Sequence, residues 1–285
     1  MTVAFSPGHI TCFFHPVDSE GILKTGSRGV GIRISGGTEV SVDERSDSRI
    51  VTSIDGKIVS APVTENVVSQ IAPGRGYDIE FINDLPVSQG FGMSASGAIS
   101  VALALCHMND VPLQEAYKFA HIAEVEGGGG LGDVSAISCK GHQPVRVKPG
   151  IPPFGEIVDT GIRFERLTLA VLGSKLKTSS VLSDIDVRRR MIEYADAAIT
   201  EFIANPSKDL LYSHSRSFSR TCGLESSEVE SALNLLSEYG NAGMCMLGHS
   251  IFTDLDQEEV KEILGEETEV YSCSSTDVMP FIRKV

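Results

Sequence analysis

Apolar and polar residues alternate in short segments along the first part of the chain, which predicts a β-rich beginning. Strands are expected at residues 3–5, 10–14, 31–34 and 39–42. The dipeptide Asp55-Gly56 separates segments 50–54 and 57–59, and it is a sequence that type I′ hairpin turns favour. Residues 66–72 predict a short helix, and the alternating segment 77–83 predicts a further strand.

Apolar residues recur at helical spacing in the middle of the chain, and helices alternate with strands after it. The middle part predicts helices over 94–108 and 112–126 and strands at 134–138 and 145–147. The last third predicts strands at 167–172, 242–247, 251–254 and 269–272, the second pairing with the third, and helices over 187–203, 208–222 and 226–239. The proline-rich loop 149–153 precedes an expected boundary near residue 160, so the predicted domains are 1–160 and 161–285.

The composition restricts the class of function. The 285 residues carry a formal net charge of −14 at pH 7, which argues against nucleic-acid binding because that requires a basic surface. The sequence shows neither a run of about 18 apolar residues nor the basic and apolar regions of a signal peptide, so no membrane association is expected. None of the six cysteines belongs to a Cys-x-x-Cys pair, which is typical of reduced thiols and predicts a cytoplasmic protein.

A glycine-rich segment between a predicted strand and a predicted helix is the most informative part of the sequence. Glycines let the backbone approach a ligand closely, and a helix N-terminus offers unpaired N–H groups, so together they favour a phosphate site. No lysine follows these glycines, so backbone amides, a metal ion and distant side chains would have to neutralise the phosphate. A strand-to-helix turn with serine caps is the alternative interpretation. The candidate nucleotide-binding residues are Pro86, Gly90, Phe91, Gly92, Met93, Ser94, Ala95 and Ser96.

Two carboxylates further along the chain suit phosphoryl transfer. That reaction requires one group that holds Mg²⁺ and a second that orients or deprotonates the acceptor hydroxyl. Glu124 lies near the end of the predicted helix 112–126, and Asp133 follows the glycine run 127–130. Glu126 is an alternative to Glu124 for the metal.

The order of these motifs resembles a family of small-molecule kinases named for galactokinase, homoserine kinase, mevalonate kinase and phosphomevalonate kinase, the GHMP kinases. The resemblance rests on Ser6-Pro7-Gly8-His9-Ile10, the loop 86–95 and the glycine-containing segment 240–248. It implies an ATP-dependent kinase with a two-domain α+β fold, in which the active site lies between the domains. The N-terminal domain would be ribosomal protein S5 domain 2-like and the C-terminal domain ferredoxin-like. Relatives commonly form homodimers, and a homodimer is compatible with the resemblance.

The resemblance also implies roles for individual residues. Ser94 and Glu124 would bind Mg²⁺, and Asp133 would be the catalytic carboxylate near the acceptor hydroxyl. His9 is a second catalytic candidate, because it stands where many relatives carry a lysine near the transferred phosphoryl group.

Within the family, segments 26–29, 90–94 and 130–134 are most similar to an archaeal branch that phosphorylates pantoate to 4-phosphopantoate in coenzyme A synthesis. Pantoate carries a carboxylate, and arginine matches carboxylate geometry with two parallel hydrogen bonds. Arg28 is therefore the first candidate for substrate binding, and Ser27 is its neighbour in the same motif. Lys175 and Thr178 are further candidates, because they lie where relatives carry a threonine-rich substrate loop.

Three other interpretations stay open. A GHMP kinase acting on mevalonate, mevalonate phosphate or homoserine would use the same motifs. A serine hydrolase would use Ser94 as nucleophile, although the segment 92–96 lacks the final glycine of Gly-x-Ser-x-Gly. A non-catalytic nucleotide sensor is the third interpretation, which the presence of Glu124 and Asp133 disfavours.

Overall fold

A long antiparallel pair of strands forms the centre of the first sheet. The computed structural model describes residues 1–174 and 184–283 and has strand β1 at Thr2–Val17 and β2 at Gly26–Glu44. The four short strands that the sequence predicts here are segments of these two. Their pairing continues across irregularities at Pro7/Gly8 and Thr11/Phe13, because a β-bulge absorbs an extra residue without ending the ladder.

Six further strands complete this sheet. They are β3 at Ile50–Ile54, β4 at Lys57–Val59, β5 at Tyr77–Asn83, β6 at Pro144–Lys148, β7 at Glu156–Asp159 and, last in the sequence, β12 at Phe281–Arg283. The order is β12-β1-β2-β5-β3-β4, with β6 paired to β2 and β7 to β6. The predicted hairpin is confirmed, since Asp55 and Gly56 have φ of 50° and 73°, as a type I′ turn requires.

Helices cover this sheet. They are α1 at Pro62–Ile71, α2 at Met93–Met108 and α3 at Ala116–Glu126, which follows a 3₁₀ turn at Leu113–Glu115. Helix α2 contacts β1 and β2 on one side and α1 and α3 on others, so nearly all of its residues are buried. That surrounding explains why its sequence is apolar on every side.

The segment 134–138 is helical, so the strand expected there is wrong. Helix α4 spans Asp133–Ser138. The Ser135 hydroxyl donates to the Gly132 carbonyl at 2.9 Å, and the aspartate in the first turn interacts favourably with the helix dipole. A short apolar segment has too few residues for its periodicity to distinguish a helix from a strand.

The second sheet contains β8 at Leu167–Val171, β9 at Ala242–Met244, β10 at Ser250–Thr253 and β11 at Glu269–Cys273, in the order β11-β8-β10-β9. Its helices are α5 at Ile185–Ala204, α6 at Lys208–Cys222, α7 at Ser227–Leu236 and α8 at Gln257–Leu264. The predicted pairing of the two strands around residue 248 is confirmed. Among the helices in the described ranges, none has the combination of length and apolar character needed to cross a membrane.

One hydrophobic core joins the two sheets. Phe13 of β1 packs edge-on against Phe202 of α5, with ring centroids 6.0 Å apart, and the same core continues to Phe252 of β10. After completing the second sheet, the chain returns to the first, where β12 pairs with β1. The domain bounds 1–160 and 161–285 stay a prediction.

Candidate active site

The glycine-rich loop presents the N-terminus of α2 to a cavity. Gly92 immediately precedes the helix with φ of 72°, and no side chain caps the first turn. A Cβ on Gly92 would lie 2.7 Å from the His9 carbonyl oxygen, so only glycine lets the loop pack directly on β1. The uncapped N–H groups of the first turn therefore remain available to an anion.

The cavity has a volume of about 530 Å³ and is lined by residues of both predicted catalytic motifs. Of the candidate nucleotide-binding residues, it is lined by Gly90, Phe91, Gly92, Met93 and Ser94. The other three, Pro86, Ala95 and Ser96, are not among its lining residues. Ser96 is fully buried, and its hydroxyl donates to the Ser6 carbonyl at 2.6 Å, so it fastens α2 to β1.

Ser94 and Glu124 meet at the cavity wall, as the sequence predicts for a shared ligand. The Ser94 hydroxyl donates to Oε1 of Glu124 at 2.6 Å, and the Gly130 N–H donates to Oε2 at 3.0 Å. Burial raises the pKa of Glu124 to about 7, although both hydrogen bonds oppose that shift. The Ser94 hydroxyl is bonded to a carboxylate and not to a histidine, whereas a serine nucleophile requires an adjacent base.

Asp133 lies beside Glu124 and is held by β1. Its Oδ1 lies 2.8 Å from Nδ1 of His9 and accepts a longer hydrogen bond of 3.4 Å from the Thr11 hydroxyl. Burial works to raise the pKa of Asp133, but the hydrogen bond from His9 and the charge of Arg146 outweigh it and lower that pKa. Asp133 is therefore a carboxylate at neutral pH. Its side chain is 24% exposed and lines the cavity.

Arg146 is a site residue that the sequence analysis does not identify. It lies on β6, is 1% exposed and still lines the cavity. Its Nη2 donates to the Thr11 hydroxyl at 3.4 Å, whereas Nε and Nη1 form no hydrogen bond with any residue that the structure describes. A Cβ on Gly132 would lie 2.5 Å from Nε, so glycine provides the room for the guanidinium. The available signal was a basic residue between Val145 and Val147 in a predicted strand.

The other predicted substrate-binding residues are placed differently. Ser27 is buried at the cavity wall, but Arg28 does not line the cavity. The Arg28 guanidinium forms an ion pair with Asp196 and donates from Nε to the Val147 carbonyl at 2.9 Å. Lys175 and Thr178 lie outside the described residues.

The glycine-containing segment 240–248 packs against the glycine-rich loop 86–95, which is called the phosphate loop below. A Cβ on Gly248 would lie 2.2 Å from the Gln89 carbonyl oxygen, and a Cβ on Gly90 would lie 2.8 Å from that of Cys245. The Gln89 side chain donates to the Gly173 carbonyl at 3.0 Å and accepts from the His249 N–H at 3.2 Å. The second sheet therefore fixes the position of the loop.

Comparisons with known proteins give the class of protein. The sequence profile of the GHMP kinases N terminal domain matches residues 59–141. The chain is 33% identical over 267 residues to the pantoate kinase of Methanocaldococcus jannaschii, a match that covers 92% of this chain and 95% of that protein. It is 34% identical over 279 residues to the pantoate kinase of Thermococcus kodakarensis, covering 92% and 91% of the two chains. The chain belongs to the GHMP kinase family.

Solved structures agree with this assignment. A phosphotransferase related to the coenzyme A biosynthesis pathway superposes with a TM-score of 0.88 at 29% identity, covering 99% of both chains. The mevalonate kinase of Methanococcus jannaschii has a TM-score of 0.69 at 16% identity, covering 96% of this chain and 98% of that one, and shows the shared fold alone. The expected α+β fold is confirmed, and the chain is an ATP-dependent small-molecule kinase.

Proposed function

We propose that this chain transfers the γ-phosphoryl group of ATP to pantoate, giving 4-phosphopantoate and ADP. The observation that carries the proposal is an ionised carboxylate, Asp133, beside the buried guanidinium of Arg146, whose Nε and Nη1 bond to no described residue, in a cavity that the N-terminus of α2 also reaches. The two groups match two functional groups of pantoate, the C4 hydroxyl to be phosphorylated and the carboxylate to be held. Identity of 33% and 34% to two pantoate kinases supports this acceptor.

The nucleotide fits the part of the cavity that lies between the phosphate loop and the first turn of helix α1. Apolar side chains of Ile54, Val59, Val63 and Phe81 line this part and suit a flat base. The uncapped N–H groups of α2 would receive the phosphates. The loop lacks a lysine, so part of the phosphate charge has to be neutralised elsewhere.

Ser94 and Glu124 fit a magnesium ion. Their oxygens lie 2.6 Å apart, and Mg²⁺ prefers oxygen ligands. It needs only a few of them from the protein when nucleotide phosphates complete its coordination shell. The hydrogen bond from the Ser94 hydroxyl to Glu124 would break when the cation binds, because an ionised Glu124 binds a cation more strongly than a hydroxyl. When bound, Mg²⁺ neutralises charge on the phosphate oxygens during transfer.

Asp133 accepts the proton of the attacking hydroxyl. The hydroxyl oxygen forms a bond to the γ-phosphorus, the bond from that phosphorus to the β,γ-bridging oxygen breaks, and the electron pair leaves with ADP. The buried guanidinium of Arg146 holds the pantoate carboxylate, and Ser27 lies beside it on the same wall. The Arg28 side chain is occupied by Asp196, which favours Arg146 for this contact.

The test is ADP release from the purified protein with Mg-ATP and, separately, pantoate, pantothenate, mevalonate or homoserine. Turnover with pantoate, and a product whose phosphorus signal couples to the C4 protons, supports the proposal. Turnover with mevalonate or homoserine but not with pantoate contradicts it. Asp133→Asn is the control for chemistry in this site, because loss of a positioned proton acceptor lowers kcat by about 10²–10⁴-fold.

Two wider expectations accompany the proposal. All six cysteines are free thiols, which supports a cytoplasmic location. A homodimer stays a prediction, and sedimentation of the purified chain would test it.

A further inference from the structure

The hydrogen bonds of Asp133 are distributed unequally between its two carboxylate oxygens. Nδ1 of His9 and the hydroxyl of Thr11 both bind Oδ1. Within the described ranges, no residue hydrogen-bonds to Oδ2. A Cβ on Gly130 would lie 2.6 Å from Oδ2, so the glycine keeps the space beside that oxygen open.

His9 lies behind Asp133 and does not reach the cavity. Its side chain is fully buried and is not part of the cavity lining, and it meets the cavity only through Asp133, which does line it. A Cβ on Gly31 would lie 2.2 Å from Nε2 of His9, and among the residues at 1–174 and 184–283 none hydrogen-bonds to Nε2. The ring is enclosed, and within the described part of the chain its one hydrogen bond is that of Nδ1 with Asp133.

The surroundings of His9 favour the neutral imidazole. Burial lowers the pKa of His9, Asp133 opposes that shift, and the charges of Arg146 and Arg33 add to it. An ionised carboxylate only accepts hydrogen bonds, so the short contact between Nδ1 and Oδ1 places the ring proton on Nδ1. A second proton on Nε2 would be a buried donor without an acceptor.

We infer that His9 is a positioning residue that, with Thr11, holds Oδ1 of Asp133 and thereby leaves Oδ2 to take the proton of the acceptor hydroxyl. The inference rests on the proposed function in so far as the hydroxyl belongs to pantoate. In the transfer step the proton moves from the hydroxyl to Oδ2, while the imidazole keeps its Nδ1 proton throughout. His9 thus acts through Asp133, in contrast to a lysine, which would carry a charge at this position.

Kinetics of two His9 variants separate positioning from charge. The side-chain nitrogen of asparagine stands where Nδ1 stands in histidine, so His9→Asn keeps the donor to Oδ1, whereas His9→Leu removes it. We expect His9→Leu to lower kcat by about 10- to 100-fold, the loss typical when a residue that orients a functional side chain is removed. His9→Asn should restore most of that loss. His214→Leu is the matched control for His9→Leu, because His214 also pairs with a carboxylate, through Nε2 with Glu201, but lies away from the cavity.

The pH profile supplies a readout that general destabilisation would not reproduce. The groups facing Asp133 are His9 and Thr11 from β1, Arg146 from β6 and Glu124 from α3. Removing the His9 hydrogen bond raises the pKa of Asp133, so the acid limb of kcat/KM moves to higher pH in His9→Leu and moves back in His9→Asn. Mg²⁺ is kept saturating at every pH, so that Glu124 stays ionised and does not set the acid limb. An asparagine variant as slow as the leucine variant, or an acid limb that stays fixed under these conditions, overturns the inference.

Nitrogen NMR of the imidazole rings tests the same inference without any substrate. The His9 signal is assigned by its loss in His9→Asn, or by its shift in Asp133→Asn if the first variant does not fold. We expect the neutral tautomer with the proton on Nδ1 from about pH 6 to about pH 8, across the usual titration range of histidine. A doubly protonated ring at neutral pH overturns the inference. This result does not depend on which acceptor the enzyme uses. Failure of the inference about His9 can therefore be distinguished from failure of pantoate as the substrate.

Discussion

Arg146 and Arg28 are the two candidates for binding the pantoate carboxylate, and single substitutions distinguish between them. A hydrogen bond to a charged group contributes about 1.5–3 kcal/mol, so Arg146→Met should lower kcat/KM for pantoate by about 10- to 150-fold. Arg28→Gln should have a smaller effect, because Arg28 pairs with Asp196 outside the cavity lining. The measurement is steady-state kinetics with pantoate varied at saturating Mg-ATP.

The KM for ATP is the control in that experiment. Arg146 lies beside Asp133 and Thr11, away from the apolar part of the cavity assigned to the base, so its substitution should leave ATP binding nearly unchanged. An equal loss for both substrates would show that Arg146 supports the site as a whole. A larger loss in Arg28→Gln than in Arg146→Met would return the carboxylate contact to Arg28.

Glu124 makes magnesium binding dependent on pH near neutrality. Its pKa is raised to about 7 by burial, so the carboxyl is increasingly protonated below that pH and fully ionised only above it. Since a cation displaces the proton, the apparent Kd for Mg²⁺ should rise about tenfold per pH unit below about pH 7 and level off above it. Magnesium titrations of the nucleotide complex at several pH values measure this dependence. Glu124→Gln should bind Mg²⁺ more weakly and lose the pH dependence.

At the scale of elements, the turn into α2 depends on a glycine for two separable reasons. Gly92 has φ of 72°, and a Cβ there would also lie 2.7 Å from the His9 carbonyl oxygen. Gly74 has φ of 80° but has no atom within 4 Å of an added Cβ. Gly74→Ala therefore measures the cost of the left-handed conformation alone, about 1–2 kcal/mol.

We expect Gly92→Ala to displace the phosphate loop and to weaken ATP binding by more than about tenfold, or 1.4 kcal/mol. Gly74→Ala should lower the Tm by a few degrees and leave ATP affinity unchanged. Calorimetric titration with ATP and thermal unfolding provide the two readouts. Equal ATP affinity in both variants would show that the close approach to β1 is not needed for nucleotide binding.

Sequence patterns predicted most elements whose signal is local. The strand 77–83 and the helix 208–222 have the bounds that the pattern predicts, since each shows clear periodicity. Strand β12 was missed because its partner β1 lies near the other end of the sequence, and β7 was missed because its four residues are too few for a clear periodic signal. Helix α8 was also missed, although Asp256 and Glu259 form a capping box at its start.

The candidate site shows the same division between local and distant signals. Ser94, Glu124 and Asp133 follow glycines or end helices, so a motif indicates them. Arg146 and Thr11 reach the cavity because β6 and β1 both pair with β2, a placement that no local pattern contains. The sequence favours Arg28 for binding the substrate carboxylate, because its ion-pair partner Asp196 is 168 positions away and no local pattern shows the pairing.

At the scale of the whole molecule, the net charge of −14 opposes the approach of anionic substrates. Added salt shortens the screening length from about 30 Å at 0.01 M to about 8 Å at 0.15 M, whereas the buried Arg146 contact is screened much less. We therefore expect kcat/KM for pantoate to rise as KCl is raised over this range. A steady fall would show that local positive charge governs the encounter, and circular dichroism at each salt concentration controls for unfolding.

The return of β12 to the first sheet determines when that sheet is complete during synthesis. Phe281 is the register partner of Phe5, so the outer edge of β1 lacks its neighbour until residues 281–283 have been made. At ~5–20 residues per second, β1 waits roughly 15 to 55 s for β12. During that interval its backbone groups present an open strand edge to other nascent chains. The polypeptide therefore closes its first sheet only after all strands of its second sheet, from Leu167 to Cys273, have been synthesised.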